Sequence, residues 1–120
     1  MKGKIDVKVR IWLGEEIAFG PGKADLLEAI AQNGSISAAA RAMNMSYRRA
    51  WLLVDAMNRS FSDPLISTVA GGQKGGGASV TPNGAAVLAR YRNMQRCAQA
   101  ALEADRIAIE DLLAFPPGKD

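Results

Sequence analysis

The 120-residue chain contains no histidine. That removes the commonest general base, the commonest metal ligand, and every Ser-His or Cys-His nucleophile pair. Its single cysteine, Cys97, excludes an intramolecular disulfide and a thiolate metal cluster. Cys97 stands among alanines in a helical pattern and is expected to be buried and inert. Long apolar runs are also missing, because charged residues interrupt each one well short of a membrane span. The N-terminus lacks the apolar core of a signal peptide, so the expected compartment is the cytoplasm, with no membrane partner. Paired acids occur at Glu15-Glu16 and Glu110-Asp111, but nothing converges on them as acid-base chemistry requires, and they are expected to be solvated. An enzyme is disfavoured on these grounds, and no cofactor or metal is expected.

The charge that is present is unevenly placed. Fifteen basic residues stand against twelve acidic ones, for a formal net charge of +3. Up to Lys23-Glu28 and again after Thr81, the two signs cancel. Between Gly34 and Thr81, Arg41, Arg48, Arg49, Arg59 and Lys74 face only Asp55 and Asp63, so this stretch holds the whole imbalance. Localised positive charge is the footprint of a protein that binds a phosphate backbone.

Periodicity organises the same sequence into a mainly α chain with a small β-sheet. Ile5, Val7, Val9, Ile11 and Leu13 alternate with polar positions and Trp12, predicting a half-buried strand over Lys4–Leu13. Gly14-Glu15 can turn it into a short strand over Glu16–Phe19, ended by Gly20-Pro21-Gly22. Leu26, Leu27, Ile30 and Ala31 follow helical spacing up to Asn33-Gly34, which reads as a left-handed cap. A serine-capped, alanine-rich helix follows from Gly34 to Met43. Asn44-Met45-Ser46 is a tight connection, and a second helix runs to about Ser60. Its inward side is expected to hold Ala50, Trp51, Val54, Met57 and Phe61, with Arg48, Leu52, Asp55 and Arg59 outward. Two helices so joined, the second opening on polar and basic side chains, form a helix-turn-helix pattern. Leu65–Val69 and Ala78–Thr81 are β-rich and flank the glycine cluster Gly71–Gly77, a hairpin with a flexible tip, or wing.

Thr81-Pro82 sets a cap and a first-turn proline, and the chain then reads helical to about Leu113. A helix of about 30 residues spans about 45 Å, more than a domain this size covers. Its stripe of Val87, Tyr91, Met94, Ala98 and Ala101, with Leu102 alongside, is expected to meet a second copy of the chain. The organisation is therefore a winged unit over 1–81, a dimerisation helix over 82–115, and a tail over 116–120. Trp12, on the polar phase of its strand, is expected to be covered by a partner.

Residues expected to face DNA follow from this placement. Arg48 or Arg49 can pair with guanine in the major groove, while Ser46 or Tyr47 bonds phosphate or a base edge. Leu52 and Arg59 share the outward row, Ser35 and Ser37 bond phosphate, and Gln73 and Lys74 on the wing follow the flanking backbone or minor groove. A phosphate loop is disfavoured for the glycine cluster, because Lys74 precedes its glycines and no Gly-Lys-Ser/Thr opens a helix after it.

Gly34-Ser35-Ile36-Ser37, Met45-Ser46-Tyr47-Arg48-Arg49-Ala50-Trp51, Met57-Asn58, the run Gly71–Ala78 and Thr81-Pro82-Asn83-Gly84 together resemble the N-terminal domain of ModE-type molybdate-responsive regulators. The broader LysR-type winged helix is similar but lacks the glycine-rich tip. The resemblance covers about Lys23 to Met94. It implies a winged helix-turn-helix homodimer that binds operator DNA and regulates transcription. Regulators of that family sense molybdate through C-terminal oxyanion-binding modules. The sequence up to Asp120 has no room for them, so no cofactor is expected here and any effector is expected to act through a separate sensing protein. The rival from another class is a winged-helix protein-interaction module that uses the wing as its contact surface.

Overall fold

The computed structural model describes residues 4–72 and 75–114, with side-chain environments at all of these except 70–72 and 75. Two separate two-stranded antiparallel sheets and five helices form the described chain. A short hairpin opens it: β1 (Ile11–Leu13) pairs with β2 (Glu16–Phe19) across Gly14-Glu15. The ladder is shorter than the alternation over Lys4–Leu13 predicts. Residues 4–10 keep that alternation in burial, with Ile5, Val7 and Val9 half-buried, but carry no strand pairing. Alternation reports that one face is covered, not that a hydrogen-bonded neighbour exists. Here the cover comes from the helix after the wing, whose Tyr91 hydroxyl donates to the Val9 carbonyl at 2.6 Å.

α1 (Pro21–Asn33) starts on a proline in its first turn and ends at Gly34, whose φ of 76° is the left-handed cap expected there. α2 (Ile36–Ala42) begins at Ser35, whose Oγ accepts the Ala38 amide at 3.0 Å. The turn out of α2 is a Schellman closure. Asn44 takes φ 55°, its amide donates to the Arg41 carbonyl, and the Met45 amide donates to that of Ala40. Asparagine tolerates this region better than most side chains. α3 (Tyr47–Ser60) follows at once, capped by Ser46, whose Oγ accepts the Arg49 amide at 3.0 Å. Each such cap contributes about 0.5–2 kcal/mol, and both fix where the helices begin.

The wing is β3 (Ile66–Gly72) paired with β4 (Gly75–Val80). Its ladder runs through the glycines to Gly72 and Gly75, past a register shift after Val69, so much of the expected flexible tip is strand. Gln73 and Lys74 lie outside the described residues. The wing is tied down at its base. The Ala78 amide donates to the Gly34 carbonyl and the Thr81 amide to that of Leu65, both at 2.9 Å.

The core collects Phe19 from the hairpin, Leu26, Leu27 and Ile30 from α1, Val54 and Met57 from α3, Leu65 before the wing, and Tyr91. Each such side chain contributes about 1.5–3 kcal/mol by leaving water. Phe19 makes edge contacts with Tyr91 and Phe61, with ring centroids 5.1 and 6.1 Å apart.

Four expectations are corrected by this packing. Tyr91, assigned to a subunit contact, is fully buried in its own chain, because the N-terminal segment and Phe19 close over it. Trp51 is not an inward residue: it is 38% exposed, since it sits at the edge of the buried arc of α3. The single long helix is two, α4 (Pro82–Ala101) and α5 (Glu103–Glu110), separated at Leu102 where the helical pattern is interrupted. Cys97 is exposed rather than buried, because α4 leaves the core beyond Tyr91 and no described residue covers that face.

Candidate nucleic-acid interface

At 3.6 residues per turn, successive side chains of α3 are displaced by about 100°, which assigns each first-turn residue to a different flank. Ala50, Val54 and Met57 form the buried arc. Tyr47 and Trp51 fall on the side of the wing, where their rings meet edge to face at 6.3 Å. Arg48 and Leu52 point outward, with Leu52 58% exposed. Arg49 lies on the flank opposite the wing.

Between α3 and the wing lies an open groove of about 580 Å³. Ser35, Ile36 and Ser37 at the start of α2 form one end, Tyr47 and Trp51 form a wall, and Thr68, Val69 and Gly77 of the hairpin close it. Both cap hydroxyls accept backbone amides, which leaves each hydroxyl proton free to donate. The Ser37 Oγ accepts Arg41 Nη1 at 3.1 Å, so an exposed guanidinium stands beside the α2 terminus. Backbone and hydroxyl donors around a helix start are the groups that hold phosphate oxygens.

The structure thus brings Ser35, Ser37 and Tyr47 together in the groove on the wing side, leaves Ser46, Arg48 and Leu52 exposed at the start and outward side of α3, and places Arg49 in the concavity on the other flank. Arg59 stands apart. It lies three turns from Ser46, and its Nε donates to Asp55 Oδ2 at 2.9 Å, whereas no ion pair among the described residues engages Arg48 or Arg49. Trp12 also lies away from this surface, 58% exposed, in a shallow depression with Glu16 and Arg59.

One organising residue is absent from the sequence reading as a site residue. The Asn58 Oδ1 accepts the amides of Leu65 at 2.9 Å and Ile66 at 3.1 Å, while its Nδ2 donates to the Ile66 carbonyl at 3.0 Å. One side chain therefore clamps the root of the wing to α3. An asparagine on the same helix face as Val54 and two residues before an exit loop was the available signal.

Two capped helices at a tight turn, followed by a hairpin anchored to the second helix, define a winged helix-turn-helix. Comparison with known proteins places it more closely. Residues 23–85 match the family described as bacterial regulatory helix-turn-helix protein, lysR family, and the chain belongs to that family. It is 44% identical over 86 residues to the molybdenum transport protein ModE of Azotobacter vinelandii, covering 72% of this chain and 32% of that protein. It is 46% identical over 73 residues to the molybdenum-pterin-binding protein MopB of Rhodobacter capsulatus, covering 61% and 27%. With the DNA-binding transcriptional dual regulator ModE of Escherichia coli K12 it shares 29% over 113 residues, 91% of this chain and 43% of the relative. The chain thus spans less than half the length of each. No helix among the described residues is long and apolar enough to cross a membrane. What the family match establishes for this chain is a bacterial regulatory helix-turn-helix unit over residues 23–85.

Proposed function

We propose that the chain binds operator DNA as a homodimer, with the first turn of α3 in the major groove and the wing along the flanking backbone. The observation that supports this most directly is that no ion pair among the described residues engages Arg48 or Arg49, at a capped helix start. Guanidinium groups without a carboxylate partner are the side chains that pair with guanine O6 and N7. Leu52, exposed one turn further on the outward side, suits a thymine methyl. Ser35, Ser37 and Ser46 supply phosphate donors, and Gln73 and Lys74 are assigned to the flank by their place between the wing strands.

Dimerisation is assigned to the half of α4 that leaves the core, together with α5. Met94, Ala98, Ala101 and Leu102 lie past the buried Tyr91, and Ile107, Ile109, Leu112 and Leu113 are all exposed large apolar residues on the following segment. A run of this kind favours a symmetric partner. Val87, half-buried against the chain's own core, is left with a structural part only. The names of the relatives connect them with molybdenum.

The test is binding to DNA fragments selected from the source genome. Arg48→Ala or Arg49→Ala should weaken operator binding by about 1–3 kcal/mol and relax preference at one base position. If both variants bind every sequence as the parent does, the recognition surface lies elsewhere. A parent protein whose partner binding does not respond to salt points to the protein-interaction module instead.

A further inference from the structure

A second concavity lies on the other flank of α3. About 490 Å³ in volume, it is bounded by the N-terminal segment, the first turn of α1, and the α2–α3 turn. Four of its lining side chains are cationic: Lys8, Arg10, Lys23 and Arg49. Met45 and Leu53 supply an apolar floor. None of the four basic groups takes part in an ion pair among the described residues.

In the linear sequence this region is neutral, but two of its acids, Asp25 and Glu28, are engaged by another element. Asp25 and Glu28 bond Arg92 of α4, at 2.9 and 3.0 Å, so their charge is neutralised on the far side of α1. Glu16 is the carboxylate that faces Lys23. Lys23 donates its ammonium to the Ile17 carbonyl, and desolvation holds its pKa below the usual lysine value, reinforced by Arg59 and only partly opposed by Glu16. A buried-edge ammonium of this kind gains from a nearby anion.

The geometry points to this pocket as a second phosphate clamp, seating the DNA backbone on the opposite rim of the major groove from the wing. This rests on the reading of α3 as the recognition helix. The major groove is about 12 Å wide and a helix with its side chains about 10–12 Å across. A helix that fills the groove therefore offers one flank to each strand's phosphates. The wing attends one rim. Arg49, Lys8, Arg10 and Lys23 attend the other, and Arg49 is a phosphate-gripping residue as much as a base reader.

The experiment measures affinity of the full chain for a duplex of arbitrary sequence across a salt series. Each lost phosphate contact lowers the slope of log K against log salt by about 0.9, so Lys8→Gln/Arg10→Gln should lower it by about 1.8; between 50 and 200 mM salt the variant then loses about 12-fold less affinity than the parent. The matched double Arg90→Gln/Arg96→Gln on α4 removes equal charge away from the pocket and should leave the slope unchanged. Circular dichroism confirms that both variants fold. A parent with a steep slope that the Lys8/Arg10 variant fully retains overturns the clamp but not the recognition helix. A parent without salt-dependent DNA binding overturns both. If the slope is retained while inorganic phosphate raises the melting temperature of the parent and not of the variant, the pocket is a small-anion site and the clamp is wrong.

Discussion

Asn58 shows how much of this interface depends on one side chain. Its amide satisfies two backbone donors and one acceptor at the exit from α3. Removing it leaves the Leu65 and Ile66 amides without their partner, at a cost of about 1–3 kcal/mol for buried donors left unmade. Asn58→Ala should therefore lower the urea midpoint and weaken DNA binding together, although Asn58 lies at the far end of α3 from its first turn. Unchanged stability would show that water replaces the amide fully. Residues whose roles are local were legible in the sequence: Ser35 and Ser46 cap because a cap is decided within three residues, and Gly34 adopts its left-handed turn for the same reason. Roles decided by distant chain were not. Tyr91 looks like any member of an apolar stripe until Val9, far along the chain, closes over it. Lys8, Arg10 and Lys23 cancel in a count of charges because a count cannot show that Arg92 draws Asp25 and Glu28 away.

Between elements, the junction of wing and α4 is bound through three side-chain hydrogen bonds. The Thr81 Oγ accepts the Gly84 amide at 2.9 Å and donates to the Pro64 carbonyl at 2.7 Å, and Asn83 donates to the Asp63 carbonyl at 3.0 Å. A Cβ at Gly84 would stand 2.2 Å from the Leu65 carbonyl oxygen and 2.8 Å from Val80. The contact with Leu65 is to backbone already fixed by Asn58, so it has little room to retreat. Gly84→Ala should destabilise the fold by about 1–3 kcal/mol, as overpacking does, read as a lowered melting temperature. A melting temperature equal to the parent's would mean the loop before the wing is softer than this packing implies. The elements themselves were legible where periodicity and caps agree, as at α1 to α3. The break at Leu102 was not, since no glycine or proline marks it. Beyond it α5 is held by its own pairs, Arg106 bonding both Glu103 and Glu110.

At the scale of the whole molecule, the described chain measures 59 × 32 × 25 Å, and its long dimension exceeds what one core needs. Exposed Met94 and the apolar residues of α5 lie beyond the residues packed on the core. Met94→Glu should yield a folded monomer by sedimentation, with operator affinity reduced as the second half-site is lost. Tyr91→Glu should instead unfold the chain, because that ring is enclosed by its own subunit. A Met94→Glu protein that remains dimeric would move the interface off α4. Two recognition helices in such a dimer fall about 34 Å apart or a multiple of it, which calls for an inverted repeat.

The Asn58 clamp and the Gly34 and Leu65 carbonyls that hold the wing make α3 and its hairpin a single tool with one shape. Moving the hairpin relative to α3 breaks the bonds that Asn58 makes to Leu65 and Ile66. Altering the distance between inverted half-sites should then change how tightly the pair grips, yet leave the preferred bases inside each half untouched. On the proposed dimer reading, control over occupancy lies in how the two tools are held apart, and the lettering each one reads stays constant.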